Sequence, residues 1–296
     1  MPNLTRILTG TTVAALSLLL NRIGPDNRAW LARQVVRKRR SNRTKSLVEF
    51  SALVALAHAN AQYDIAINGE KWLLERLAAF SPKTIFDVGA NRGEWCLTAC
   101  QTNPGATIHA FEIVSETYEL LKENTKPFHP KVVLNACGLS DKKGLMDIFH
   151  VPDCDVHSSF LEDANKITRN GGSVRISRPV RTGDDYMTER NIESIDVLKI
   201  DVEGAEPLVL EGFRNALSKQ KIDVIQFEYG KHSLITRHFL KDFYRTLENY
   251  GFVLGKLFPD GVDFKTYDIS DENFIGPNYV ACRTERSDII AVLASR

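Results

Sequence analysis

The chain has almost no net charge, since 38 Lys and Arg against 37 Asp and Glu leave +1. No global field therefore selects a polyanionic partner. Cysteine is scarce: five residues with no C-x-x-C pair give neither a disulfide framework nor a zinc signature. A reducing compartment follows, and the chain is expected in the cytoplasm. Cys96 and Cys100, four apart on a predicted helix, read as small apolar residues facing a sheet. The sequence lacks G-x-G-x-x-G, which weighs against a dinucleotide site. It also lacks a long apolar run. Val13–Leu20 is too short to span a bilayer, and with only Arg6 before it and no small-x-small cleavage site after it, a secretory signal is disfavoured.

What is present suits one substantial core and an appendage: 296 residues, 43% of them hydrophobic. Residues 1–68 read as a helical and basic extension, and 69–296 as the main domain. Between Arg28 and Lys45 stand Arg33, Arg37, Lys38, Arg39, Arg40 and Arg43 with no acid. An apolar stripe followed by a basic cluster is what a peripheral membrane helix needs, so residues 4–45 have one reading as a membrane contact. The other reading packs residues 4–23 on the main domain and leaves the basic run as a solvated linker. No aromatic residue stands between Arg33 and Lys45, and nucleic acid is not an expected partner. Ser46–Asn60 and Gly69–Phe80 are two further helical stretches. In the second, Trp72, Leu73, Leu77 and Phe80 share one face and cap a sheet.

The main domain alternates apolar runs with helical patterns. Strands are predicted at 84–88, 107–111, 131–136, 195–201 and 222–228, with helices near 94–102, 115–126, 205–219 and 233–250. That alternation predicts a doubly wound, mostly parallel sheet. Phe252–Leu257 and Tyr279–Arg283 would close it in antiparallel fashion, for seven strands in all. Gly144–His150 and Val174–Arg181 are predicted as extra strands framing a loop with Ser158, Ser159, Gly171 and Gly172, the expected substrate-contacting element.

Three strand ends carry the chemistry. Thr84–Glu94 reads as a buried strand, an acid at Asp87, and a turn in which Gly89 and Gly93 let the backbone approach a ligand. Ala106–Phe111 is a second strand ended by Glu112, placed where such folds bind ribose hydroxyls. A carboxylate just before the turn is a poor neighbour for a diphosphate and a good one for a sulfonium. S-adenosylmethionine is the cofactor that fits. Ile195–Glu206 is a third apolar strand, delivering Asp201 and Glu203 to the same edge, with Gly204 opening a helix.

Asp87-Val-Gly-Ala-Asn-Arg-Gly93, Phe111-Glu112, Leu139-Ser-Asp141, Leu198-Lys-Ile-Asp-Val-Glu-Gly-Ala-Glu206 and Phe227-Glu228 together resemble the FkbM family of SAM-dependent methyltransferases, over roughly residues 70–283. The resemblance implies the class I, Rossmann-like methyltransferase fold and methylation of hydroxyls on sugars, glycans and macrolide natural products. It implies that Asp87, Gly89, Asn91 and Gly93 line the methionine end of the cofactor, that Glu112 takes the ribose, and that Ala90 and Ile113 belong to the same cofactor site. Gly138 and Leu139 would border the adenine, and Asp201 would reach the cofactor from the third strand. The chain departs from the family in having Gly183-Asp184-Asp185 where Leu-Asp-Asp is usual, and no Pro after Glu112.

Transfer of a methyl group from a sulfonium to a hydroxyl needs alignment and a proton acceptor. Candidates are Asp201, Glu203, Glu228, His157 and His232, with Asp201 and Glu228 favoured because both end core strands. Glu203 reads equally as a charge at a helix N-terminus. Three converging carboxylates would also suit Mg²⁺ or Ca²⁺, but no dedicated loop supports a metal and none is assigned. The reading is an O-methyltransferase acting on a glycan or small molecule. Its alternatives are a SAM-binding, membrane-associated scaffold without turnover and a metal-assisted O-methyltransferase.

Overall fold

The computed structural model describes residues 24–150 and 174–294. Contacts divide the chain into two compact units, Met1–Leu56 and Ala57–Arg296, so residues 57–68 belong with the second unit. In the first lie helix α1 (Pro25–Arg37) and all but the last two residues of α2 (Asn42–His58), and neither helix buries a residue. The apolar stretch Val13–Leu20, the loop serines and glycines at 158, 159, 171 and 172, and His157 lie outside the described residues.

The second unit opens with α3 (Glu70–Leu77). Leu73 and Leu77 are buried in the core, with Trp72 and Phe80 packed against it. The strands that follow are β1 (Thr84–Val88), β2 (Thr107–Phe111), β3 (Val132–Asn135), β4 (Gly138–Leu139), β5 (Gly144–His150), β6 (Val174–Arg181), β7 (Ile195–Ile200), β8 (Ile222–Glu228), β9 (Phe252–Phe258), β10 (Gly261–Phe264) and β11 (Asn278–Arg283). The main sheet has the order β10-β9-β11-β8-β7-β1-β2-β3. β3, β2, β1, β7 and β8 run parallel, while β11, β9 and β10 are antiparallel. The order reverses between β1 and β7, which is the switch point at which open sheets bind ligands.

The sheet has eight strands, not the seven expected, because β10 folds back on β9 as a hairpin edge. β4, β6 and β5 form a separate three-stranded sheet, so the two extra strands predicted around the insertion are present.

Helices α4 (Glu94–Thr102), α5 (Ser115–Thr125), α6 (Gly183–Glu189), α7 (Glu206–Gly212), α8 (Arg214–Ser218), α9 (His232–Thr236), α10 (Leu240–Asn249) and α11 (Ser287–Leu293) complete the unit. Alternation along β1 sends Phe86 and Val88 into one core and Ile85 into the other. Cys96 and Cys100 are buried in the second core as free thiols.

The helices expected at 205–219 and 233–250 are each divided in two. Gly212 abuts the carbonyl of Ser140, where a Cβ would stand 2.1 Å from the oxygen. Arg237 takes a left-handed conformation, with φ of +57°, between α9 and α10. Gly183 also has a tertiary reason: a Cβ there would meet the Phe213 ring at 2.2 Å. The aromatic ring fills the space that the larger residue usual at this position would take. Asp184 accepts from the backbone N–H groups of Asn215 and Ala216 and so caps α8.

Candidate active site

The C-terminal ends of β1, β2, β7 and β8 meet at the switch point. From β1 the chain folds over the end of β2, with the N–H groups of Gly89 and Ala90 both donating to the Phe111 carbonyl at 3.0 and 2.9 Å. Gly89, Asn91 and Gly93 all have positive φ, at +81°, +47° and +93°. Only glycine fits at 89, because a Cβ would lie 1.8 Å from the Asp201 carbonyl oxygen. The glycine thus lets β1 and β7 close against each other. A Cβ at Gly93 would meet Leu121 at 2.8 Å, so that glycine serves the packing of α4 on α5.

Glu112 is buried and holds this turn from β2. Its Oε2 accepts from the Asn91 N–H at 2.9 Å and its Oε1 from the Val114 N–H at 2.8 Å. Burial pushes its carboxyl pKa up against the pull of those backbone donors. Ile113 packs on Gly138, whose missing Cβ would come within 2.8 Å of the isoleucine side chain. Two of the residues expected in the cofactor site are therefore neighbours. Leu139 is buried in the core, inside that border.

Asp87 is fully buried, and its partner is a residue that the sequence reading passed over. Lys199 on β7 stands beside it in register, with Nζ 3.1 Å from the Asp87 carboxylate and 3.5 Å from that of Asp201. The same ammonium donates to the Gly89 carbonyl at 3.0 Å. Burial alone would lower the Lys199 pKa, but Asp87, Asp201 and Glu70 together raise it above its usual value. Asp87 therefore acts beneath the turn through an ion pair. The carboxyls that stand at the edge itself are those of Glu112 and Asp201.

The third group of residues lies past β7. Glu203 and Gly204 take positive φ of +57° and +106°, and Glu206 accepts from the N–H groups of Val202 and Gly204 at 2.9 and 3.1 Å. Burial raises the Glu206 carboxyl to about 7. The His232 Nδ1 lies 3.0 Å from Glu203 Oε2. Glu228 is hydrogen-bonded to Asp201; burial, then the charges of Asp201, Glu203 and Glu206, hold its carboxyl well above the ordinary range. Glu203 is raised for the same first reason, with Asp201 and Glu206 adding to it.

Glu203, Glu228 and His232 each offer a donor atom within 4.8 Å of the others, close enough to share a cation. All four expected catalytic residues thus meet at one place. Tyr63 joins them unannounced by any motif. Partial burial of its hydroxyl, then the charges of Glu228, Glu203 and Asp201, raise its phenol, although the side chain is 76% exposed overall.

The turn, the acid on β2 and the small apolar border of Ile113 and Gly138 suit a nucleoside whose other end is cationic. Comparison with known proteins agrees. The family model described as "Methyltransferase FkbM domain" matches residues 87–254. The 31-O-demethyl-FK506 methyltransferase FkbM of Streptomyces tacrolimicus is 32% identical over 155 residues, 45% of this chain and 60% of that protein. The hexuronic acid methyltransferase AglP of Haloferax volcanii is 30% identical over 146 residues, 49% of this chain and 56% of that protein. The chain thus spans little more than half the length of these curated relatives. A crystal structure of methyltransferase FkbM from Methylobacillus flagellatus KT aligns with a TM-score of 0.44 and 15% identity, over 68% of this chain and 44% of that one. With more than half of its residues inside the matching model, the chain belongs to the FkbM family of S-adenosylmethionine-dependent methyltransferases.

Proposed function

We propose that this chain is an O-methyltransferase that moves the methyl group of S-adenosylmethionine to a hydroxyl of a sugar, glycan or related natural product. The observation that carries this reading is Lys199. It ties the Gly89 turn to the strand that bears Asp201, so the cofactor turn and the carboxylate cluster share one fixed edge. Relatives named as a 2-O-methyltransferase and a hexuronic acid methyltransferase support a hydroxyl- or acid-bearing sugar as the acceptor class.

When bound, the cofactor supplies an electrophilic methyl group on a positively charged sulfur. The chain's residues have three tasks. The turn at 89–93 and Glu112 hold the nucleoside, and the carboxylates at the strand ends favour the cation over phosphate-bearing rivals. His232, oriented by Glu203 through Nδ1, takes the acceptor hydroxyl's proton. Glu228 is hydrogen-bonded to Asp201, and burial holds its carboxyl above the ordinary range, so its role in this reading is to hold Asp201 in place beside the histidine.

The test is incubation of the protein with methyl-labelled cofactor and extracts of surface polysaccharide and secondary metabolites. Label appearing in an extract component, lost with His232→Ala while cofactor binding persists, supports the reading. Cofactor binding with no label in any extract favours a scaffold without turnover.

A further inference from the structure

Helix α2 is apolar on every side and covered on none. Leu47, Val48, Phe50, Leu53, Val54 and Leu56 are all 42–63% exposed, and at 100° per residue they fall all round its axis. A soluble helix normally confines such residues to one buried stripe. In α1, Trp30 is 56% exposed and Val36 63%. Between and within these helices stand the eight Lys and Arg of residues 28–45, unaccompanied by any acid.

We infer that α1 and α2 form a docking surface for an anionic lipid bilayer, with α2 lying in the headgroup boundary and the basic cluster on the phosphates. Two observations choose this occupant over a second copy of the chain. A second copy would bring the same eight cations to face the first eight, whereas a bilayer with anionic headgroups complements them. Exposed Trp and Phe beside Lys and Arg are also the composition of helices that rest at a membrane interface. The mode is surface binding, since no helix among the described residues is long and apolar enough to cross a membrane. The inference stands on the N-terminal unit alone and survives or fails independently of the methyl-transfer reading.

The experiment is flotation of the full chain with vesicles of phosphatidylcholine alone and of phosphatidylcholine with phosphatidylglycerol, at low and high salt. The surface predicts recovery with the anionic vesicles that falls about tenfold when the anionic lipid is omitted or salt is raised. The quadruple variant Arg37→Glu, Lys38→Glu, Arg39→Glu, Arg40→Glu should lose that recovery, and Phe50→Ser with Leu53→Ser should weaken it. Both variants should keep wild-type affinity for S-adenosylmethionine by calorimetry, which shows that the catalytic unit remains folded. Equal recovery on both vesicle types, no recovery on either, or unchanged recovery of the charge-reversed variant overturns the inference. So does a dimer in solution that disappears with Phe50→Ser and Leu53→Ser, which would identify a second copy as the occupant.

Discussion

Lys199 sits 3.1 Å from Asp87 with side-chain exposures of 5% and 0%, a buried ion pair joining β7 and β1 at the switch point of the sheet. Removing one member of such a pair leaves the other charged and desolvated. Lys199→Ala is expected to cost roughly 3–5 kcal/mol of unfolding free energy. Lys199→Met combined with Asp87→Leu should recover most of it. Urea unfolding of the single and double variants checks this, and equal losses in both would show that the pair is not what the strands depend on.

Gly89 offers a sharper steric test. Its φ is +81° and a Cβ would lie 1.8 Å from the Asp201 carbonyl oxygen, so Gly89→Ala must move either the turn or the end of β7. A loss of about 3 kcal/mol or failure to fold is expected. A variant with wild-type unfolding and wild-type cofactor affinity would refute the close approach of these strands.

The carboxylate cluster separates two glutamates by role. Glu228 is hydrogen-bonded to Asp201 with its carboxyl raised above the ordinary range by burial, so the isosteric amide in Glu228→Gln, which can still donate to Asp201, should keep activity within a few-fold. Glu203 orients His232, and Glu203→Gln should lower kcat by about 100-fold with little change in cofactor affinity. Steady-state kinetics on the acceptor found by labelling decides it; the reverse ranking would make Glu228 the base.

His109 gives a pH dependence of stability. It is buried with Nδ1 2.8 Å from the Tyr186 hydroxyl, and burial, aided by Arg190, lowers its pKa from 6.5 to about 4. The unfolded chain protonates this histidine first as pH falls, so the folded state loses stability between about pH 6.5 and pH 4 and keeps it fully above that window. The contribution amounts to about 3 kcal/mol. Unfolding free energies of wild type and His109→Gln, compared at either end of the window, should show the variant with the flatter profile.

Much of this molecule could be read from residue patterns. The strands at the switch point are apolar runs that end in an acid, and their parallel order follows from the helices between them. Lys199 is legible in the sequence, since a lone lysine within an apolar strand must have a buried partner. Other features depend on contacts distant in sequence. Gly212 divides a helix because Ser140 presses on it, and Gly183 is small because Phe213 needs the room. Tyr63 feels the charges of the carboxylates from a loop with no motif, pinned where the Asn60 side chain donates to the Asn68 and Leu257 carbonyls. β10 is a four-residue hairpin arm, too short to announce itself.

The cofactor is expected at the edge where Glu112 meets the Gly89–Gly93 turn. Calorimetric titration of S-adenosylmethionine into wild type and Glu112→Ala tests it most directly. Binding by wild type and an affinity about tenfold or more weaker in the variant, with its unfolding transition retained, is the predicted result. Equal affinity in the two proteins would contradict it, because the cofactor would then be held elsewhere.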